Sequence, residues 1–134
     1  MTQSIVVGYI PTPEGIAALV RAKAEALSRS ARLVVVNTGQ DGDYASPSFA
    51  APEDLDAISG ELSEAGLDFD VVQPTSGLPA AEEILRVATA EDASLIVIGM
   101  RRRSLVGKFL LGSTAQQVLL DASCPVLAVK AEPR

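Results

Sequence analysis

SLIVIGMRRRSLVGKFLLGST, residues 94–114, contains the most apolar strand signal of the chain and its densest positive cluster. Ser94 to Gly99 is a short apolar run, the pattern of a strand buried on both faces. Beyond it come Arg101, Arg102 and Arg103, then Lys108, then Gly112-Ser113-Thr114, where Ser113 is expected to cap a helix running to about Asp121. Gly99 leaves the backbone at the strand end unshielded by a side chain. A helix N-terminus presents free N–H groups and a partial positive charge, which favour a phosphate. Gly112 would let a phosphate approach closely, Ser113 and Thr114 add hydroxyl donors, and the cations lie nearby. The spacing matches neither a P-loop nor a GxGxxG fingerprint. On the residues alone two readings stand side by side: a phosphate cradle, or a turn and cap with the arginines solvated in a loop.

Outward from this segment, strand and helix signals alternate five times. SIVVGYI (4–10) reads as a buried strand. TPEG starts a helix in which Thr12 caps, Pro13 takes the first position and Glu14 faces the dipole. Ile16, Leu19, Val20 and Leu27 recur at helical spacing through Ser28. RLVVVN (32–37) is a second strand, and the Gly-, Ser-, Asp- and Pro-rich TGQDGDYASPSFAAP (38–52) is a loop. Glu53 to Ala65 forms a helix with Leu55, Ile58, Leu62 and Ala65 on one face and Gly66 as its stop. DFDVVQ is a third strand, Pro79 to about Ala90 a third helix, and CPVLAVK a final strand. Short links between such elements imply an α/β fold: a single doubly wound parallel sheet, five-stranded, with helices on both faces, formed by one domain over 1–134. Ligands of such sheets bind beyond the carboxyl ends of the strands, where strand order reverses. The candidate loops are Tyr9 to Pro13 and the quoted segment.

Composition excludes several function classes. The chain has 134 residues, a net charge of −6 and no histidine, which removes a histidine base, a Ser-His-Asp triad and most transition-metal catalytic sites. Glu82-Glu83 and Glu91-Asp92 read as solvated helix-face carboxylates. From Asp41 to Asp92 there are thirteen acidic residues and one basic residue, Arg86; from Ala93 onward there are six basic and two acidic. The positive charge is therefore local, suited to a small anion, and binding to nucleic acid or a membrane is not expected. No apolar run is long enough to span a bilayer, and the N-terminus lacks the pattern of a secretory signal. The single cysteine, Cys124, reads as a buried, inert thiol. These features point to the cytoplasm.

From SLIVIG to CPVLAVK the chain closely resembles the universal stress protein family. Nucleotide-binding members carry Gly, two residues, Gly, nine residues, then Gly-Ser or Gly-Thr. Here Gly99 matches the first position, Gly112 the last glycine and Ser113 the residue after it, with the nine-residue interval Arg103 to Leu111 kept. GLPAAEEIL is similar to the family's segment before its third helix, and IVVGYIPTPEG to its opening strand and turn. The resemblance implies strand order 3-2-1-4-5, which places the first and fourth strands side by side. It also implies an adenine nucleotide, ATP or another, at Gly8, Tyr9, Ile10, Pro11, Thr12, Thr38, Gly99, Arg101, Arg102, Arg103, Gly112, Ser113 and Thr114. Two departures stand out: Ile10 replaces the aspartate usual in ATP-binding members, and Arg102 replaces the second glycine. The arginines either compensate for that glycine with charge or block the family pose. The implied function is a sensor or regulator that binds the nucleotide weakly. The alternative is a degenerate, dimeric protein-interaction module without nucleotide. The chain is not expected to be an enzyme, since no general base is marked and no Walker motif is present to hold magnesium; a slow ATP hydrolase is the second alternative. A homodimer is expected through the final strand, an apolar edge guarded only by Lys130.

Overall fold

The computed structural model describes residues 2–38, 49–103 and 108–131, with the backbone alone for 102, 103 and 108–110. Its elements are β1 (Ser4–Tyr9), α1 (Pro13–Arg29), β2 (Arg32–Asn37), α2 (Pro52–Glu64), β3 (Phe69–Val72), α3 (Ala80–Ala90), β4 (Leu95–Arg103), β5 (Lys108–Leu110), α4 (Ser113–Asp121) and β6 (Val126–Lys130). Five of the strands pair in parallel in the order β3-β2-β1-β4-β6. In the numbering of parallel strands this is 3-2-1-4-5, and β1 lies beside β4 through Val6 opposite Ile96. One core, built from α1 and α2, covers one face of the sheet; a second, built from α3 and α4, covers the other. The central strands β1, β2 and the first half of β4 are buried from both sides because both faces are roofed, so their sequences are continuous apolar runs.

β5 is a difference from the sequence reading. The arginines were expected in a loop. Instead β4 continues to Arg103 and folds back, pairing antiparallel with β5 (Arg101 opposite Leu110, Arg102 opposite Phe109, Arg103 opposite Lys108). The parallel neighbours of β4 end with β6 at Met100, so the backbone beyond that point has no ladder to join. Turning back on itself satisfies those N–H and C=O groups. The loop region 39–48 and the hairpin tip 104–107 lie outside the described residues.

α1 starts as the sequence indicates: the Gly15 N–H donates to the Thr12 hydroxyl at 3.1 Å, with Pro13 in the first turn. Its inward face is only in part the expected one: Leu19 packs against the core, but the rest of the face is glycine and alanine. Gly15, Ala18, Ala22 and Ala26 are buried, whereas Ile16, Val20 and Leu27 point outward, Val20 at 63% exposure. The reason is proximity. A Cβ on Gly15 would sit 2.9 Å from both the amide nitrogen and the carbonyl carbon of Ile10, and closer still to the oxygen. At that contact only glycine fits, and the turns that follow present Ala18, Ala22 and Ala26 to the sheet. α4 also shifts by one residue: Gly112 is the N-cap and Ser113 the first helical residue, with no side-chain cap bond. Gly66 ends the α2 turn at φ 76°, the left-handed conformation that favours glycine.

The carboxylate pair of α3 is a further correction. Glu82 is exposed, but Glu83 is 2% exposed. The Ser76 hydroxyl donates to Glu83, and the Arg86 guanidinium donates to both of its oxygens at 3.0 and 3.2 Å. The one basic residue of the acidic stretch is thus committed to a buried partner. Cys124 is half-buried rather than enclosed, and burial pushes its thiol pKa up. Among the described residues, no helix is long and apolar enough to cross a membrane.

Candidate functional site

At the carboxyl ends of β1 and β4, where the strand order reverses, a cleft of about 200 Å³ opens. Three helices point their N-termini into it: α1 through Glu14 and Gly15, α3 through Ala80, and α4 through Ser113, Thr114 and Ala115. Each carries a partial positive charge, but they are not equivalent. α1 has Glu14 in its first turn and the Thr12 cap; α3 has Glu82 and Glu83. α4 has no acidic residue in its first turn and no side-chain cap. Its end is the one whose field and N–H groups remain open to an incoming anion.

Arg101 lies on the same cleft wall, the only basic side chain among the described lining residues, exposed and without an ion pair among the described residues. Gly112 belongs to the same corner. A Cβ there would meet nothing within 4 Å, so the space beside the start of α4 is free. Gly99 has a different role from the one its sequence position suggested. It lines the cleft, but its missing side chain makes room for protein: a Cβ would stand 2.7 Å from the Glu14 carbonyl carbon and 3.0 Å from the Glu14 Cβ. Gly99 therefore lets the first turn of α1 rest on β4.

The other side of the cleft comes from β1 and β2. Gly8, Tyr9, Ile10, Val36 and Thr38 line it, with Ile84 and Ile98 completing an apolar wall. Tyr9 is buried in the core on the α1 side, and burial, reinforced by Asp54, raises its phenol pKa. Thr38 is buried at the strand end. Of the residues expected from sequence, Gly8, Tyr9, Ile10, Thr38, Gly99, Arg101, Gly112, Ser113 and Thr114 come together here. Pro11 and Thr12 do not reach the wall; the Thr12 hydroxyl is spent on capping α1. The side chains of Arg102 and Arg103 lie outside what is described.

Sequence reasoning missed Glu14, Gly15, Val36, Ala80, Ile84, Ile98 and Ala115 as lining residues. Glu14 matters most, as the only carboxylate among the described residues of the wall. Its signal was available. It sits in the first turn of the helix that follows β1, and in a doubly wound sheet that turn faces the switch point.

The sequence pattern of the universal stress protein family matches residues 1–130. A universal stress protein of Mycolicibacterium smegmatis is 42% identical over 126 residues, 94% of this chain and 96% of the relative. One from Thermus aquaticus is 36% identical over 138 aligned positions, covering 97% and 100%. Among solved structures, a universal stress protein from Archaeoglobus fulgidus superimposes with a TM-score of 0.77 at 27% identity, covering 97% of this chain and 99% of that one. A structure of the universal stress protein from Archaeoglobus fulgidus in complex with dAMP gives 0.64 at 25% identity, covering 97% and 98%.

Proposed function

This chain belongs to the universal stress protein family, and from that membership we propose that it binds an adenine nucleotide weakly, as a sensor or regulator. The observation that carries the reading is the inequality of the three helix ends. Only the α4 end, beside Arg101, is left without an acidic residue or a side-chain cap. Phosphates go to that corner, held by N–H groups of the first turn, the hydroxyls of Ser113 and Thr114, and the guanidinium. The base lies against Ile10, Val36, Thr38 and Ile84, and the Glu14 carboxylate accepts from sugar hydroxyls. The relative that was solved with dAMP supports a ligand of this class.

No catalytic role is assigned to the cleft, and the chain is taken as cytoplasmic. It pairs with a second copy through β6. This strand is bonded to β4 on one side, and its residues Val126, Leu127, Ala128 and Val129 are only half-buried. α4, which packs over β4 and β6, adds exposed Leu119 and Leu120. An apolar edge to which no second strand pairs among the described residues tends to be covered. The outward Ile16, Val20 and Leu27 on α1 favour a second reading, a protein-interaction module that has lost its nucleotide.

Denaturing freshly purified protein and identifying the released ligand by mass tests the first reading directly. Calorimetric titration of ATP and AMP into ligand-stripped protein completes the test. An adenine nucleotide released, or bound in titration, supports it. If none is released and none binds at millimolar concentration, the interaction-module reading takes its place. Light scattering that shows a monomer at micromolar concentration would refute the β6 dimer.

A further inference from the structure

We infer that Asn37 is the positioning residue of the base side of the cleft, holding the ends of β1 and β2 at the spacing a planar ligand requires; this rests on the nucleotide reading above. Asn37 closes the apolar strand RLVVVN and is fully buried, at 0% exposure. A buried amide is unfavourable unless its donors and acceptor are paired, and here both kinds of group are engaged. Its Nδ2 donates to the Tyr9 carbonyl at 2.9 Å. Its Oδ1 accepts from the Ala50 N–H and from Gln73 Nε2, each at 2.9 Å. The same Gln73 nitrogen donates to the Ala50 carbonyl, also at 2.9 Å.

The placement of this cluster connects it to the site. Tyr9 and Asn37 face each other as the last register pair of β1 and β2, so the side-chain bond extends the ladder past its backbone end. The residues on either side of Asn37, Val36 and Thr38, line the cleft, as do Tyr9 and Ile10. Successive strand residues point to opposite faces, so Asn37 works from behind the wall that its neighbours present. Gln73 stands just beyond the end of β3, and Ala50 just before α2. One amide therefore ties the end of β1 and the approaches to β3 and α2 to the end of β2. Asn37 is not itself among the lining residues, so its effect on a ligand is transmitted through Tyr9–Ile10 and Thr38.

The test uses the full chain, two probes and a ligand-free measurement. Asn37→Leu keeps an apolar shape but removes both the donor and the acceptor; Gln73→Leu leaves Asn37 in place and removes only the outer tie. In calorimetric titration, Asn37→Leu is expected to weaken ATP by about tenfold or more and Gln73→Leu by about threefold. Tripolyphosphate, which reports the α4 corner alone, stays within about twofold for both, as expected for a perturbation that does not reach its contacts. In hydrogen exchange without ligand, amides of Tyr9, Ile10, Thr12 and residues 36–38 exchange faster in Asn37→Leu, while those of β4 and α4 are unchanged. Equal weakening of both probes, or exchange raised uniformly, would overturn the inference by reducing Asn37 to a general stability residue. Unchanged ATP affinity in both variants would overturn it as well. Should Asn37→Leu fail to fold, Gln73→Leu decides through the same pair of probes and the same amides. If wild type binds neither ATP nor AMP, the nucleotide reading fails, and the exchange pattern alone still decides whether Asn37 sets the wall.

Discussion

Replacing Gly99 by alanine should push the first turn of α1 off the sheet. The backbone of Gly99 is not in the left-handed region, so alanine meets no torsional obstacle there. The obstacle is space: the new Cβ would lie 2.7 Å from the Glu14 carbonyl carbon, where ordinary contact begins at 3.4 Å. The Glu14 carbonyl oxygen is closer still, so the two backbones must part by at least about 0.7 Å, and neither is the yielding tip of a side chain. Overpacking of this kind costs about 1–3 kcal/mol. Removing a glycine from a strand interior returns about 0.5–1 kcal/mol. The expected net is a loss of about 1–2 kcal/mol in urea denaturation with the slope unchanged, and a lower Tm. The displaced atoms include Glu14 and Gly15, which line the cleft, so nucleotide affinity falls as well. Gly112→Ala is the counterpart. Its Cβ meets nothing within 4 Å, so the fold is kept with at most about 1 kcal/mol lost at the N-cap. That Cβ stands beside the start of α4, and nucleotide binding weakens. A Gly99→Ala protein as stable as wild type, with Glu14 unmoved in its crystal structure, would refute the close-approach argument.

Arg101→Ala should weaken nucleotide binding by about ten- to a hundredfold, from loss of charge-assisted hydrogen bonds worth about 1.5–3 kcal/mol. A change below threefold in calorimetry counts against the phosphate role. Arg86→Ala leaves the buried Glu83 with only the Ser76 hydroxyl; because Arg86 is itself half-exposed, the expected loss is about 1–2 kcal/mol, read by urea denaturation. Stability should also decline at alkaline pH. Cys124 and Tyr9 both have pKa values raised by burial, so the unfolded chain releases these protons first. It then binds fewer protons than the folded chain, and unfolding is favoured once pH passes the ordinary thiol and phenol values. Below those values the two groups are neutral in both states and contribute no slope. Denaturation midpoints between about pH 8 and 10.5 would show the decline, and Cys124→Ser should remove its first part.

Much of the chain could be read before its structure was seen, and the gaps have physical causes. The strands were legible because burial on both faces leaves an unbroken apolar signature, as in Ile5–Val7 and Leu95–Ile98. The start of α1 was legible because capping is local: Thr12, Pro13 and Gly15 are adjacent in sequence and act on one another. The inward face of α1 was not. Hydrophobicity ranks Ile16 and Val20 above Ala18 and Ala22, and only the seating of the helix, fixed at Gly15 against the Ile10 backbone, turns the alanines to the sheet. Glu83 was misread for the same reason. Its partners come from the turn before the helix and from the next helical turn, and neither changes the local charge pattern. The cleft residues that come from strand and helix ends could be named from topology, family resemblance and glycine spacing. Asn37 could not, because its partners Tyr9, Ala50 and Gln73 are brought together only by the sheet.

The glycine–alanine face of α1 has a mechanical consequence. Long side chains between a helix and a sheet act as a cushion, changing rotamers to absorb small displacements. At the N-terminal end of α1 there is none: backbone lies close to backbone at Gly15 and Gly99, while further along Ala18, Ala22 and Ala26 meet the branched side chains of the sheet. The helix begins at the cleft rim, and its body packs on β1, β4 and β6. At the rim, therefore, the helix is seated directly on backbone, without a cushion. A ligand that lifted the rim at Glu14 is expected to move the backbone at Gly99 with it, because no rotamer change stands between them to absorb the displacement.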